Sequence, residues 1–153
     1  GCHVRGYMIS PEVLGIPVKT DPLVTEGKAG LLKTFQDLTA LVDATGICLF
    51  TTFGIGLPEV AAQYREAVGS DESDEEILLK GERIWNLEKQ FNIAAGVEKD
   101  TLPPRLLREK LPEGPAAGKV NDLYTMLAEY YAARGWTAEG IPTPEKLASL
   151  NLK

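Results

Sequence analysis

The chain has 153 residues, a length that fits one domain of ordinary size with its own hydrophobic core. Its formal net charge is −6, and its 16 basic residues are scattered among 22 acidic residues. Because nucleic-acid-binding surfaces carry clustered basic residues, we expect no nucleic-acid partner. The longest apolar run is too short for a membrane span, and the first residues lack a signal-peptide pattern. We therefore expect a cytoplasmic protein that does not bind a membrane.

The two cysteines, Cys2 and Cys48, lie far apart in the sequence and form no CxxC pair. Neither a disulfide framework nor a self-contained zinc site is therefore predicted. The sequence opens on GCHVRGY without a methionine, so we expect it to be part of a longer polypeptide. A site near Gly1 or Cys48 would then need further residues from that polypeptide. The acidic, helical pattern fits a monomer and a homodimer equally.

Residues 1–30 are predicted to be irregular chain with at most one short turn. Prolines and a glycine interrupt every periodic pattern in this segment, at Pro11, Gly15, Pro17 and Pro22. The first helix is predicted after it, because apolar residues then recur at spacings of three and four. These residues are Leu31, Leu32, Phe35, Leu38, Leu41 and Val42. The helix is expected to end at Asp43 or a few residues later, where Gly46 lets the chain leave it.

Two further helices are predicted from their start signals and their periodicity. Residues 57–68 form the second helix, with Pro58 in a favourable first-turn position. The third is predicted over residues 74–92, because Ser73 and Glu76 have the spacing of a capping box. Its buried side is predicted to comprise Ile77, Gly81, Ile84, Trp85, Leu87 and Phe91. Among these residues, Gly81 would allow a neighbouring backbone to approach closely.

The last third of the chain is predicted to contain a long connection and two more helices. Residues 96–118 are rich in proline and glycine and leave room for one helical turn at residues 105–110. Loops of this length are often functional or docked, so we expect this one to lie against the rest of the polypeptide. The next helix has an apolar face of Val120, Leu123, Tyr124, Leu127, Tyr130 and Tyr131, and Gly135 follows its end. A short final helix starts after Thr143, with Leu147 and Leu150 as its apolar face.

The predicted fold class is all-α, because no segment shows sustained alternation of apolar and polar residues. We expect an irregular helical domain of about four to six helices with long proline-rich connections. Residues 1–153 are expected to form this one domain. It would consist of an irregular segment over residues 1–30 and a helical body over residues 31–153.

Three side chains could carry chemistry, although each also has a simpler interpretation. The Cys48 thiolate is a suitable iron–sulfur ligand, and Gly46 beside it would let inorganic sulfide approach the backbone. The simpler interpretation is that Cys48 is a small buried hydrophobe. Asp43, at the end of an apolar helix face, could accept hydrogen bonds from a pterin-like N–H pair or could face solvent. His3, the only histidine, could exchange a proton with a substrate or could be an exposed side chain.

Five segments resemble, in order, the aldehyde ferredoxin oxidoreductase family of tungsten-pterin enzymes. GCHVRGY is similar to the R-G-x-C-H stretch of that family, DATGIC to its D-x-x-G-L-C element, and GERIWNLEKQFN to its G-E-R-I-W-N-L-E helix. DTLPPRLLREKLPEGPAAG resembles its proline-rich connection, and LAEYYAARGWTAEGIPTPEKLASLNL resembles its closing segment. Five ordered matches are far more specific than one short motif. The chain departs from the pattern at Ile47, where leucine is usual, and it lacks the family's three other cluster cysteines.

The resemblance implies roles for these residues. Cys48 matches the fourth thiolate ligand of a [4Fe-4S] cluster. Asp43 matches the acid that hydrogen-bonds a pterin of the tungsten bis-pterin cofactor, which is of the molybdopterin type. Gly46 and Ile47 lie in the same cofactor-binding element, and His3 matches the active-site histidine. Residues 1–30 would accordingly lie near the active site.

The reaction that the resemblance implies is the oxidation of a small aldehyde to a carboxylic acid, with electrons leaving through the cluster to ferredoxin. The rest of the parent polypeptide would complete both cofactor sites. The isolated chain is therefore expected to be inactive, because one thiolate cannot hold a cluster. Two alternatives stay open. One is a non-catalytic helical interaction module, and the other is a related tungsten enzyme with a different substrate, such as an aromatic-ring reductase.

Overall fold

The computed structural model describes residue 21, residues 23–97 and residues 99–152. His3, Cys2 and the irregular conformation predicted for residues 1–20 lie outside these described residues. The described helices are α1 (Ala29–Thr45), a 3₁₀ helix (Leu49–Phe53), α2 (Leu57–Val68), α3 (Asp74–Ala94), α4 (Pro104–Arg108), α5 (Leu123–Arg134) and α6 (Pro144–Ser149). Among the residues that the structure describes, the only extended pairing is an isolated antiparallel bridge between Trp136 and Pro142. The predicted all-α class is confirmed.

Local sequence signals fix several helix ends. At the start of α3 the Ser73 hydroxyl accepts a hydrogen bond from the Glu76 amide at 3.2 Å, and the Glu76 carboxylate accepts one from the Ser73 amide at 2.8 Å. This pair is the predicted capping box, and it satisfies two amides that have no partner inside the helix. Gly46 and Gly135 adopt left-handed conformations, with φ of 76° and 69°, directly after α1 and α5. Because glycine reaches this conformation without steric strain, both helices end where the sequence predicts.

The core lies between α1, α2 and α3. Leu41 and Val42 of α1 form one buried cluster with Val60 and Ala61 of α2 and Ile77 of α3. α1 packs mainly against α3 and also against α5. At the α1–α3 crossing, a Cβ atom on Gly81 would lie 2.7 Å from the Asp37 carbonyl carbon and nearer still to its oxygen. The absence of a side chain at Gly81 therefore permits the two backbones to pack this closely, as predicted.

A polar network, which sequence periodicity did not predict, joins four helices beside this core. Arg134 of α5 is fully buried and donates to the Asp37 carboxylate at 2.6 Å. Lys33 bonds both Asp37 and Glu82, at 2.8 and 3.1 Å, and Lys146 at the start of α6 bonds Glu82 at 3.0 Å. Burial raises the pKa of the Glu82 carboxyl, but the bonds from Lys146 and Lys33 outweigh burial and lower this pKa overall. Each buried charge thus has an opposite charge beside it, as burial requires.

The predicted buried faces of α3 and α5 are partly wrong. Leu87 and Phe91 are 50% and 73% exposed, whereas Glu82 and Asn86 of the same helix are buried. Periodicity counts apolar residues and cannot recognise a polar residue that finds a distant buried partner. Glu82 has such partners in two lysines, and Asn86 accepts the indole N–H of Trp136 at 2.9 Å.

The same error affects α5 and the residues before it. Tyr124 is 66% exposed and Val120 is 42% exposed, although both were placed on the apolar face. Tyr131 is buried as predicted, but the fully buried Arg134 was not expected on that side. The final helix agrees with the prediction, because the Thr143 hydroxyl caps it and Leu150 is buried.

The long connection is more ordered than the sequence suggested. Its predicted helical turn is α4, at Pro104–Arg108. After α4 the chain folds back on itself, since the Leu111 amide bonds the Lys119 carbonyl and the Gly118 amide bonds the Leu111 carbonyl.

Among the described helices, none combines the length and apolarity needed to cross a lipid bilayer.

Gly81→Ala should destabilise the fold by about 2–3 kcal/mol, because its methyl group would overlap the Asp37 carbonyl and force α1 and α3 apart. Gly30→Ala is the matched control, since Gly30 also lies in a helix and a Cβ there would meet nothing within 4 Å. That substitution should be stabilising by about 0.5 kcal/mol. Urea denaturation of the two variants measures both effects, and equal stability of the two would contradict the close approach.

Candidate functional site

The predicted cofactor-binding residues lie at the end of α1 and in the link to the 3₁₀ helix. Gly46, with φ of 76° and ψ of 5°, ends α1, and its amide bonds the Asp43 carbonyl at 3.2 Å. A Cβ atom at Gly46 would meet nothing within 4 Å. The left-handed conformation, and not crowding inside this chain, therefore favours glycine here. The open space beside Gly46 is compatible with a bulky group lying against the backbone.

Asp43 occupies the last turn of α1 and is exposed. The C-terminal end of a helix carries a partial negative charge, so an acid in this turn is disfavoured by about 0.3–1 kcal/mol. The exposure of Asp43 agrees with the simpler interpretation, in which an acid at a helix end faces solvent.

Cys48 is an exposed free thiol, so the simpler interpretation of a small buried hydrophobe is wrong. Its backbone is extended, with φ of −62° and ψ of 127°, and the residue is the N-cap of the 3₁₀ helix. The Cys48 carbonyl accepts two hydrogen bonds from Thr51, one from the amide at 2.9 Å and one from the hydroxyl at 2.7 Å. A thiol in this position is available to a ligand outside the chain.

Apolar side chains of the same segment anchor it to the core. Ile47, Leu49, Ile55 and Leu57 are partly buried and pack against the central cluster. Asp43 and Gly46 precede these anchors, Cys48 lies between Ile47 and Leu49, and all three residues are exposed. The apolar side chains thus hold the segment on the core while Asp43, Gly46 and Cys48 stay accessible from outside. Ile47 serves this anchoring through its side chain, so the leucine-to-isoleucine departure from the family pattern preserves the apolar contact.

The segment also presents two exposed phenylalanines that the sequence analysis did not single out. Phe50 and Phe53 stack with ring centroids 5.9 Å apart and an angle of 11° between their planes. Phe50 is 76% exposed and Phe53 is 47% exposed. Their spacing of three residues is the available sequence signal, because residues i and i+3 align on a 3₁₀ helix. An apolar aromatic surface therefore adjoins Cys48, and such surfaces commonly mark contacts with other parts of a protein.

The donor set of the described residues fits one ligand of a metal cluster and not a complete site. The exposed thiol of Cys48 suits iron, which accepts thiolate ligands in iron–sulfur clusters. In the described ranges, however, no three His, Cys, Asp or Glu residues come together to hold a metal ion. The remaining ligands of any cluster at Cys48 must come from elsewhere.

Two open grooves lie away from this segment and contain none of the predicted site residues. One, of about 400 Å³, lies between α4 and the start of α5, and the other, of about 650 Å³, is lined by Asp100, Tyr131 and Trp136 among others. Asp100 of the second groove accepts hydrogen bonds from the Tyr131 hydroxyl and from the Lys89 ammonium, each at 2.7 Å. Burial and the neighbouring Asp100 raise the pKa of Tyr131, so its phenol keeps its proton. The hydrogen-bonding groups of Lys89, Asp100 and Tyr131 therefore satisfy one another.

Comparison with known proteins identifies the family. Residues 1–152 match the family model described as aldehyde ferredoxin oxidoreductase, domains 2 & 3. The chain belongs to the aldehyde ferredoxin oxidoreductase family, which confirms the resemblance found in the sequence.

The curated relatives carry one name, tungsten-containing aldehyde ferredoxin oxidoreductase. The Pyrococcus abyssi protein is 51% identical over 100% of this chain, and the Pyrococcus horikoshii protein is 48% identical over the same share. The Pyrococcus furiosus protein is 49% identical over 99% of the chain. In each case the chain spans only 26% of the relative's length.

Proposed function

We propose that this chain is the C-terminal portion of a tungsten-dependent oxidoreductase that oxidises aldehydes to carboxylic acids and passes electrons to ferredoxin. The observation that supports it most is the family match over residues 1–152, together with relatives named for tungsten, aldehyde and ferredoxin. When bound, the tungsten bis-pterin cofactor and a [4Fe-4S] cluster would supply the redox chemistry and the electron path. The chain itself supplies ligands and contacts at one side of these groups.

In this proposal Cys48 donates its thiolate to the cluster. The thiol is exposed and free of any disulfide, and the anchored backbone around it limits where the sulfur can lie. Gly46 leaves open space next to this ligand, which keeps the backbone accessible to the cluster. Ile47 holds the segment on the core from the other side.

Asp43 is proposed to accept N–H groups of a pterin. Its support is the match of DATGIC to the D-x-x-G-L-C element of the family, together with the exposed position of Asp43 in the last turn of α1. A donor pair on the cofactor would supply the favourable hydrogen bonds to this charge. Because Asp43 and Cys48 belong to one short anchored segment, this chain would hold the pterin and the cluster from the same surface.

His3 is proposed to hold the aldehyde oxygen or to move a proton through one imidazole nitrogen. Its support is the sequence match to the active-site histidine of the family, since the residue lies outside the described part of the chain. An imidazole has a pKa near neutrality and can perform either task. The proposed substrate is accordingly a small aldehyde near residues 1–30.

Cys48→Ser should abolish the cluster absorbance and the electron transfer to ferredoxin or a viologen, because serine replaces a soft thiolate with a poor iron ligand. The experiment uses the complete, anaerobically prepared protein and measures iron content and the visible spectrum. Ala44→Ser, on an exposed residue of the same segment, is the control and should leave both unchanged. The isolated chain should bind neither iron nor tungsten stoichiometrically. A cluster spectrum that survives Cys48→Ser would remove Cys48 from the ligand set.

Asp43→Asn should lower pterin and tungsten occupancy, because a donor pair on the cofactor would lose a charged acceptor worth about 2 kcal/mol. Tungsten is measured by mass spectrometry and pterin by fluorescence after oxidative release. Asp71→Asn, on an exposed acid between α2 and α3, is the matched control and should retain full occupancy. Full occupancy of the Asp43 variant would show that the acid is an ordinary residue of a helix end.

His3→Ala should lower aldehyde oxidation by roughly 10²–10⁴-fold while tungsten content stays intact, because the substitution removes a group that positions substrate or moves a proton. Initial rates with an aldehyde panel and a viologen acceptor measure the first effect, and metal analysis measures the second. Unchanged turnover in this variant would exclude the proposed role of His3.

A further inference from the structure

Three threonines reinforce the backbone of the segment that carries Cys48. Each donates its hydroxyl to the carbonyl three residues earlier at 2.7 Å: Thr45 to Val42, Thr51 to Cys48 and Thr52 to Leu49. Only the Thr51 bond ends on the residue proposed to bind the cluster.

We infer that Thr51 is a positioning residue for the Cys48 thiolate, an inference that rests on the proposed role of Cys48 as a cluster ligand. The Thr51 amide and hydroxyl both bond the Cys48 carbonyl, at 2.9 and 2.7 Å. Together they restrict rotation of the Cys48 peptide about ψ. Because the Cα–Cβ bond is fixed relative to that backbone, the hydroxyl narrows the range of positions open to the sulfur.

The geometry of the 3₁₀ helix separates Thr51 from its neighbour Thr52. With three residues per turn, Thr51 lies on the same side as Cys48, and Thr52 lies on the side of Leu49. Thr51 is exposed, and Thr52 is partly buried. Leu49 packs against the core, so the Thr52 hydroxyl restrains a backbone already anchored by its side chain. Cys48 has an exposed side chain, so its orientation depends more on the Thr51 hydrogen bonds.

Thr51→Val tests this inference, because valine keeps the shape and the amide but removes the hydroxyl. The complete, anaerobically prepared protein is mixed with excess iron chelator, and the loss of cluster absorbance is followed in time. We expect loss about fivefold faster than in the wild type, the change that corresponds to one hydrogen bond of about 1 kcal/mol. We also expect a broadened electron paramagnetic resonance signal of the reduced cluster, since the sulfur would occupy a wider range of positions.

Two matched variants separate positioning from general stability. Thr51→Ser keeps the hydroxyl and should restore wild-type kinetics and signal. Thr52→Val removes an equivalent hydroxyl bond to Leu49 and should affect only the thermal midpoint, leaving the cluster unchanged. The inference is overturned if Thr51→Val and Thr52→Val release the cluster at the same rate, or if Thr51→Ser behaves like Thr51→Val.

Cys48→Ser in the same preparation distinguishes failure of this inference from failure of the proposed function. Loss of the cluster in Cys48→Ser with no effect of Thr51→Val would reject the role of Thr51 alone. A cluster that persists in Cys48→Ser, or a wild-type protein without one, would reject the role of Cys48. The positioning role of Thr51 would then be rejected with it.

Discussion

The structure depends on how Asp37 joins α1 to its neighbours. Its backbone carbonyl lies against Gly81 of α3, and its buried carboxylate bonds Arg134 of α5 at 2.6 Å and Lys33 at 2.8 Å. Removing one partner from a buried ion pair leaves an uncompensated charge, so this arrangement tolerates few alternatives. A single residue thus fixes both the separation of α1 from α3 and the side of α1 that α5 covers.

This constraint reaches the candidate site because α1 continues directly into it. Leu41 and Val42, one turn after Asp37, bury the last part of the helix in the core, and Ile47 and Leu49 anchor the segment beyond it. A ligand that extends from packed backbone is held more accurately than one on a mobile loop. The exposed Cys48 is therefore placed by the same packing that stabilises the domain, with the Thr51 bonds adding local control.

The sequence predicts what depends on local chemistry and fails where distant partners decide. Capping at Ser73 and the glycine at position 46 act within a few residues, so helix ends were predicted closely. Burial of Glu82 and Arg134 depends on partners far away in the chain, and apolar periodicity has no signal for such pairs. The exposure of Cys48 likewise depends on packing, so the sequence around this residue favoured the wrong interpretation of a buried side chain. Ordered motifs identified the family correctly, because they compare the whole chain at once.

Two acids on α1 show how burial sets the role of a charged side chain. Asp37 is buried, and its charge is compensated by Arg134 and Lys33. Asp43, nearer the end of the same helix, is exposed in a turn whose dipole opposes negative charge. Asp37 is required for the packing of α1, whereas Asp43 lies where α1 leads into the exposed Gly46 and Cys48. Burial thus ties the first acid to the folding of this chain and leaves the second accessible to groups outside it.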